Sequence, residues 1–165
     1  MQVIETYGEK EFVLELGTMC TDCEMTNSGE IAGDPTEVAI VSKAIQYGIY
    51  KEKLYLNMER VSEIPFDSDR KLMTTIHKVG NRYRIITKGA VDVLLNRCTK
   101  IYKDEEIKSI SLKNKNEILE KNTNMADKAL RVLAVAYREL EKLPNRVESD
   151  NIENELTFVG LIRND

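Results

Sequence analysis

Val132 to Tyr137 is an unbroken apolar run in a chain that is 32% charged. Side chains alternate between the two faces of a strand, so Val132, Ala134 and Ala136 face one way and Leu133, Val135 and Tyr137 the other. A strand that is apolar on both faces has to be covered on both, which places this run at the centre of a layered fold. The neighbouring segments supply the layers. Lys71–Lys78 and Arg82–Thr87 are predicted strands joined at Val79-Gly80-Asn81, where glycine and asparagine tolerate positive φ, so the pair is expected to be a hairpin. Leu156–Ile162 is a last predicted strand, after a polar loop that begins at Pro144.

Helical patterns lie between these strands. Leu14–Met25 is expected to be a short helix, followed by a loop at Thr26-Asn27-Ser28-Gly29-Glu30. Asp34 is a good N-cap, Pro35 suits the first helical position and Glu37 stands where a capping box would close. Val38, Ile40, Val41, Ala44 and Ile45 then recur at helical spacing, and Gly48 ends the helix. After Lys88-Gly89-Ala90 the pattern again turns helical, with Val91, Leu94 and Leu95 on one face. Lys103-Asp104-Glu105-Glu106 is a polar turn, and a long helix is predicted from about Ser111 to Lys128. Hairpins with segregated helices point to an α+β fold, a mainly antiparallel twisted sheet flanked by helices on both faces, in a single domain spanning residues 1–165.

Composition narrows the function. A net charge of −4 argues against a nucleic-acid surface, which needs a basic patch to release counterions. No apolar run approaches the ~20 residues that cross a bilayer, and the first residues lack the basic start and apolar stretch of a secretory signal, so the segment is expected to be soluble by itself. Cys20-Thr21-Asp22-Cys23 has the spacing of a redox or half-zinc motif, but no second Cys-x-x-Cys follows. Completing a zinc set would take His77, the only histidine, and Cys98. The simpler expectation is ordinary thiols, with Cys20 and Cys23 on neighbouring turns of the first helix.

Chemistry concentrates in four short segments: Gly33-Asp34-Pro35-Thr36-Glu37, Phe66-Asp67-Ser68-Asp69-Arg70-Lys71-Leu72-Met73, Lys88-Gly89-Ala90 and Ala129-Leu130-Arg131-Val132-Leu133-Ala134. Together they offer an aromatic face, cations and a carboxylate. Phe66 follows Pro65 in a stretch crowded with charge; it is either a core plug or a ring on which a base stacks, an interaction that contributes roughly 1–3 kcal/mol. Lys88 is either a solvated turn lysine or a ligand group beside Gly89, which permits close approach to the backbone. Arg131 either snorkels to solvent or presents its planar fork to phosphate oxygens, and Lys71 is either a strand-edge lysine or a second phosphate partner. Glu37 either closes the capping box or accepts from an exocyclic amine, and the two roles compete for the same oxygens. The chain lacks a Gly-x-x-x-x-Gly-Lys-Ser/Thr loop and a Gly-x-Gly-x-x-Gly fingerprint, and its lone histidine leaves little room for a hydrolase triad. Such a pocket is suited to binding rather than cleavage.

In this order the segments resemble the nucleotide-binding (N) domain of type II P-type cation-transporting ATPases, most closely the calcium pumps. Gly33-Asp34-Pro35-Thr36-Glu37 resembles the family's Gly-Asp-Pro-Thr-Glu box, and Phe66 to Met73 its Phe-Asp-Ser-x-Arg-Lys-x-Met segment. Lys88-Gly89-Ala90, with Leu94, Leu95 and Cys98 after it, resembles the Lys-Gly-Ala…Leu…Cys signature. Leu130 to Ala134 with Ala136-Tyr137-Arg138 resembles the Leu-Arg-Val-Leu-Ala…Ala-Tyr-Arg run, and Leu156–Ile162 the strand by which the chain returns to a phosphorylation domain.

The resemblance implies roles by position. Phe66 stacks on adenine, Glu37 bonds its amino group, and Lys88 lines the inner pocket with Gly89 beside it. Lys71 and Arg131 meet the ribose-phosphate end, while Met73 and Leu133 are apolar walls. Ser68 stands where many members carry arginine, which implies one phosphate cation fewer here. The family's phosphorylated-aspartate loop and membrane helices are absent from these 165 residues, so the resemblance implies an excised domain. Such a domain is cytoplasmic within an integral membrane pump, holds ATP, hinges at both termini, and works with the phosphorylation and actuator domains of the same parent. Mg²⁺ would accompany the phosphates without a ligand from this domain, and the isolated chain would not hydrolyse ATP. Sodium/potassium, proton and magnesium pumps stay open as parents. From the residues alone so do an interaction module without a nucleotide site and a small zinc or redox protein.

Overall fold

A computed structural model describes residues 1–127 and 131–165. In chain order the elements are β1 (Val3–Gly8), α1 (Lys10–Met19), β2 (Glu24–Met25), β3 (Ile31–Ala32), α2 (Pro35–Ile45), α3 (Lys51–Asn57), β4 (Glu59–Asp67) and β5 (Leu72–Val79). They continue with β6 (Arg82–Gly89), α4 (Val91–Leu95), β7 (Cys98–Lys103), β8 (Glu106–Ser109), α5 (Leu112–Ala126), β9 (Arg131–Leu140), α6 (Ser149–Ile152) and β10 (Leu156–Asn164). Eight strands form one sheet in the order β4-β5-β6-β9-β10-β7-β8, with β1 also on β10, while β2 and β3 pair separately.

The sheet is antiparallel except where β10 meets β7. One edge of β10 serves two partners in succession: Leu156–Phe158 pairs with β7, and Gly160–Asn164 pairs with β1. Gly160 is required at the changeover, because a Cβ there would collide with the Tyr7 carbonyl and Val13.

The apolar run in β9 does what its pattern demands. Ala134 and Ala136 sit in a core with Leu94 and Leu95 of α4 and Ile118 and Met125 of α5. Val135 and Tyr137 sit in the opposite core with Val13, Leu16 and Met19 of α1 and Ala39 and Ile40 of α2. Helices therefore cover both faces of a mainly antiparallel sheet, the α+β layering expected from the sequence. The β5–β6 hairpin turns at Gly80, with φ of +61°. The long helix begins under a capping box of Ser111 and Asn114 and runs to Ala126; the expected last residue, Lys128, lies outside the described residues, as do Ala129 and Leu130.

Two local expectations are corrected. The first helix is Lys10–Met19, capped by Glu9, whose carboxylate accepts from the Phe12 amide at 2.8 Å. It does not reach Met25, because the Thr21 and Cys23 carbonyls are taken by side chains of α3 and β4 instead of by helical amides. Cys20 and Cys23 are consequently not on neighbouring helical turns: Cys20 is the C-cap and Cys23 lies beyond it. β4 was not expected at all. It is a sheet-edge strand with intermediate and exposed residues in alternation, a weak hydrophobic signal interrupted by Pro65.

Candidate functional site

Strand register explains how remote segments meet. Asp67 pairs with Leu72, Met73 with Lys88, and Gly89 with Ala134, so the end of β4, the start of β5, the end of β6 and the start of β9 lie side by side. The N-terminus of α2 packs over this corner and adds Asp34, Thr36 and Glu37. Between them is a cavity of about 280 Å³ lined by Glu37, Phe66, Met73, Lys88, Gly89, Arg131 and Leu133, together with Asp22, Asp34 and Thr36. Seven of the nine candidate residues thus share one space. Ser68 and Lys71 do not line it. They belong to the exposed turn after β4, where Lys71 takes a φ of +64°.

Phe66 is not a core plug. The residue lines the cavity and is 62% exposed, which costs apolar hydration and leaves apolar surface to be covered. Arg70 braces the strand end that carries it, its guanidinium donating to the Pro65 carbonyl at 3.1 Å and the Leu72 carbonyl at 2.7 Å. That guanidinium also forms a buried pair with Glu153, Nε to Oε1 at 2.7 Å.

Lys88 is buried rather than solvated, with 6% exposure. Its ammonium donates to Glu37 Oε2 at 2.6 Å and to the Cys20 carbonyl. The other Glu37 oxygen accepts from the Asp22 amide at 3.0 Å. The carboxylate is turned toward Lys88 and Asp22, each oxygen keeping a further lone pair, and Glu37 does not close the expected capping box; the α2 cap is a bond from the Thr36 amide to Asp34 Oδ1 at 2.9 Å. A charge that is partnered and hydrogen-bonded can be buried where an isolated one cannot. The inner end of the cavity is therefore polar but internally neutralised. At the outer end Arg131 donates to Thr36 Oγ1 at 3.2 Å and stays exposed. Gly89 is demanded by the chain itself, since a Cβ there would overlap the Lys71 carbonyl oxygen.

Burial raises the Cys20 and Cys23 thiols beside the site above the ordinary thiol range, and the charge of Glu37 pushes Cys23 the same way. All three cysteines are free and buried. Cys20 bonds the carbonyls of Met73 and Ile86, and His77 is held by the Met58 carbonyl and Thr75. Among the described residues no group of three or more His, Cys, Asp or Glu side chains converges as a metal site. A larger cavity, about 460 Å³, lies beyond Asp22 and Cys23 and contains none of the nine candidates. Its cations, Lys51 and Arg60, already bond protein carbonyls and carboxylates, whereas the smaller cavity holds an uncovered aromatic face. The smaller one is the better ligand site on chemistry.

Sequence reasoning missed Asp22, Thr36, Arg70 and Glu153. Arg70 stood within a recognised motif, and Asp34-Pro35-Thr36 within another, so proximity to Phe66 and Glu37 was the available signal. Asp22 and Glu153 carried none, because their parts depend on tertiary contacts 15 and 83 residues away.

Comparison with known proteins adds an independent line. Residues 10–163 match the model of the P-type ATPase cytoplasmic domain N. The chain is 39% identical over 153 residues to calcium-transporting ATPase 1 of Bacillus cereus, covering 93% of this chain and 17% of that protein. It is 33% identical over 156 residues to calcium-transporting ATPase 1 of Lactococcus lactis, covering 94% and 18%, and 34% identical over 154 residues to the cation-transporting ATPase pma1 of Synechocystis, covering 92% and 17%. It therefore spans less than a fifth of the length of these relatives. No helix among the described residues is long and apolar enough to cross a membrane. With this match over nearly its whole length, the chain belongs to the P-type ATPase cytoplasmic domain N family.

Proposed function

We propose that this domain binds ATP in the 280 Å³ cavity and presents the γ-phosphate to an aspartate on the phosphorylation domain of a parent cation-transporting ATPase. The observation that carries the proposal is the uncovered Phe66 ring facing the same cavity as the self-neutralised Glu37–Lys88 pair. A cavity whose inner end bears no net charge suits a neutral purine better than a triphosphate. The base enters, stacks on Phe66 against Met73 and Leu133, and offers its exocyclic amine to Glu37. The charged tail runs outward past Arg131, with Lys71 and Ser68 on the neighbouring turn. Mg²⁺ accompanies the phosphates, as it does in phosphoryl transfer generally.

Positioning is then the domain's contribution: it delivers a reactant at high effective concentration, and the partner domain supplies the nucleophile. Val3 pairs with Asn164, and the Asp165 amide donates to the Gln2 carbonyl at 3.0 Å, so the start of β1 and the end of β10 lie side by side. The names of the bacterial relatives favour calcium as the transported ion, and the description of the matching family supports a position on the cytoplasmic side of a membrane pump. Titration of the ¹⁵N-labelled chain with ATP tests this. The amides of residues 66, 88 and 131 should shift whether or not Mg²⁺ is present, with no phosphate released. A Lys88→Ala chain that binds ATP as tightly as the parent would contradict the assignment.

A further inference from the structure

From the last residue of α1 the chain runs through residues 20–23 without entering any strand, and four of the five carbonyls of residues 19–23, with the Asp22 amide, are held by side chains from elsewhere. The Met19 carbonyl accepts from Tyr55 Oη at 2.7 Å. The Thr21 carbonyl accepts from Lys51 Nζ at 3.0 Å and from Arg60 Nη1 at 2.9 Å, and the Cys23 carbonyl accepts from Lys51 Nζ at 2.7 Å. Arg60 Nη2 also pairs with the Asp22 carboxylate at 2.8 Å. This segment in turn holds both halves of the ion pair at the inner end of the cavity, Glu37 through the Asp22 amide and Lys88 through the Cys20 carbonyl.

We infer that Arg60, seconded by Lys51, is a positioning residue for the nucleotide base: it fixes residues 20–22, which fix the carboxylate of Glu37 and the ammonium of Lys88. Arg60 is outside the lining of the nucleotide cavity and faces the larger one behind the segment. Its action on a ligand therefore has to pass through the backbone. Arginine suits the task because its planar fork reaches a carbonyl and a carboxylate together. The short segment has no ladder of its own to keep it in place; without the clamp its amide and carbonyl would drift to water, and Glu37 and Lys88 would lose their shared geometry. The inference rests on the ATP assignment above and deepens it, since base selectivity would depend on a residue that never touches the base.

The test measures ATP and GTP affinity of the whole chain by calorimetry at a temperature where circular dichroism shows every variant folded. Arg60→Met should weaken ATP by roughly two- to tenfold and narrow the ATP-over-GTP preference, the lower part of the range of coupling seen between residues in one network. Arg60 also pairs with the Glu63 carboxylate, and Arg60→Lys, able to keep only part of this set of three partners, should recover part of the loss. In the Glu37→Gln background Arg60→Met should cost little more, because its effect is carried by that carboxylate. Lys51→Met, which leaves Arg60 and Asp22 intact, should reproduce the direction of the change and serves if Arg60→Met does not fold. Unchanged ATP affinity in both variants, or equal losses with and without Glu37, would overturn the inference while leaving the ATP site standing. A wild-type chain that binds neither nucleotide would instead remove the ATP assignment and this inference with it.

Discussion

Replacing Arg70 by methionine puts the bracing of the site to a quantitative test. The guanidinium makes four bonds: two to the Glu153 carboxylate at 2.7 and 3.2 Å, and one each to the Pro65 and Leu72 carbonyls. The Glu153 side chain is fully buried and that of Arg70 is 16% exposed, so solvent cannot replace the lost cation. Thr74 and Ser149 would still donate to the carboxylate, but its charge would stand uncompensated. Breaking one side of a buried pair costs about 3–5 kcal/mol. At about 2–4 °C per kcal/mol for a domain of this size, the melting temperature should fall by about 6–20 °C. Removing both charges as Arg70→Met with Glu153→Leu should recover more than half of that, because a buried pair exchanged for apolar side chains is close to neutral. Thr74 keeps a partner in Thr87 at 2.7 Å, which limits the residual loss. Scanning calorimetry of the two variants decides the matter. A single variant that loses less than about 1 kcal/mol, or a double variant no better than the single, would refute the reasoning.

Phe66→Ala should leave the melting temperature nearly unchanged, since the residue is 62% exposed and surface changes stay within about ±0.5 kcal/mol. It should nevertheless weaken ATP by about 5- to 150-fold, the factor that a stacking loss of 1–3 kcal/mol makes, as read by calorimetry. A stability loss of the core-truncation size, about 3–5 kcal/mol, would make Phe66 structural instead. Burial holds the His77 imidazole at about 4, against an ordinary 6.5. The unfolded chain thus binds the extra proton between those values, and stability should fall as pH drops from 6.5 toward 4, by up to about 3 kcal/mol from this residue. Urea melts at several pH values should show a shallower slope for His77→Gln; an identical slope would contradict the assignment. Burial also raises all three thiols, Cys98 to about 12, so an aromatic disulfide reagent at pH 8 should label the native chain far more slowly than the denatured one. Rapid native labelling of any cysteine would show that its burial has been misassigned.

The parts legible in the sequence were those written in a local pattern. The double-faced run of β9, the Gly80 hairpin and the Asp34-Pro35 start of α2 each carry their own physical signal, and the structure builds all three. The four motif segments also converge, because antiparallel register lays Met73 beside Lys88 and Gly89 beside Ala134. Local rules failed where a tertiary partner outbid a local one. Glu37 sits where a capping box closes, but a buried ammonium offers its carboxylate a stronger, charge-assisted bond than a backbone amide does. The first helix stops at Met19 because Lys51 and Arg60 take the next carbonyls, a contest that no window of neighbouring residues contains. Edge strand β4 was invisible for the opposite reason: half solvated and interrupted by Pro65, it needs little hydrophobic pattern to hold its place. Its end carries Phe66, so the least patterned strand presents the residue on which the proposed stacking depends.

Intermolecular nuclear Overhauser effects between ATP and the ¹³C-labelled chain address that stacking most directly. Cross-peaks from adenine H2 and H8 to the Phe66 ring protons, with weaker ones to the Met73 and Leu133 methyl groups, are the expected result. Saturating ATP with adenine cross-peaks only to residues outside this cavity, for instance to Tyr55 or Ile45 in the larger one, would contradict it.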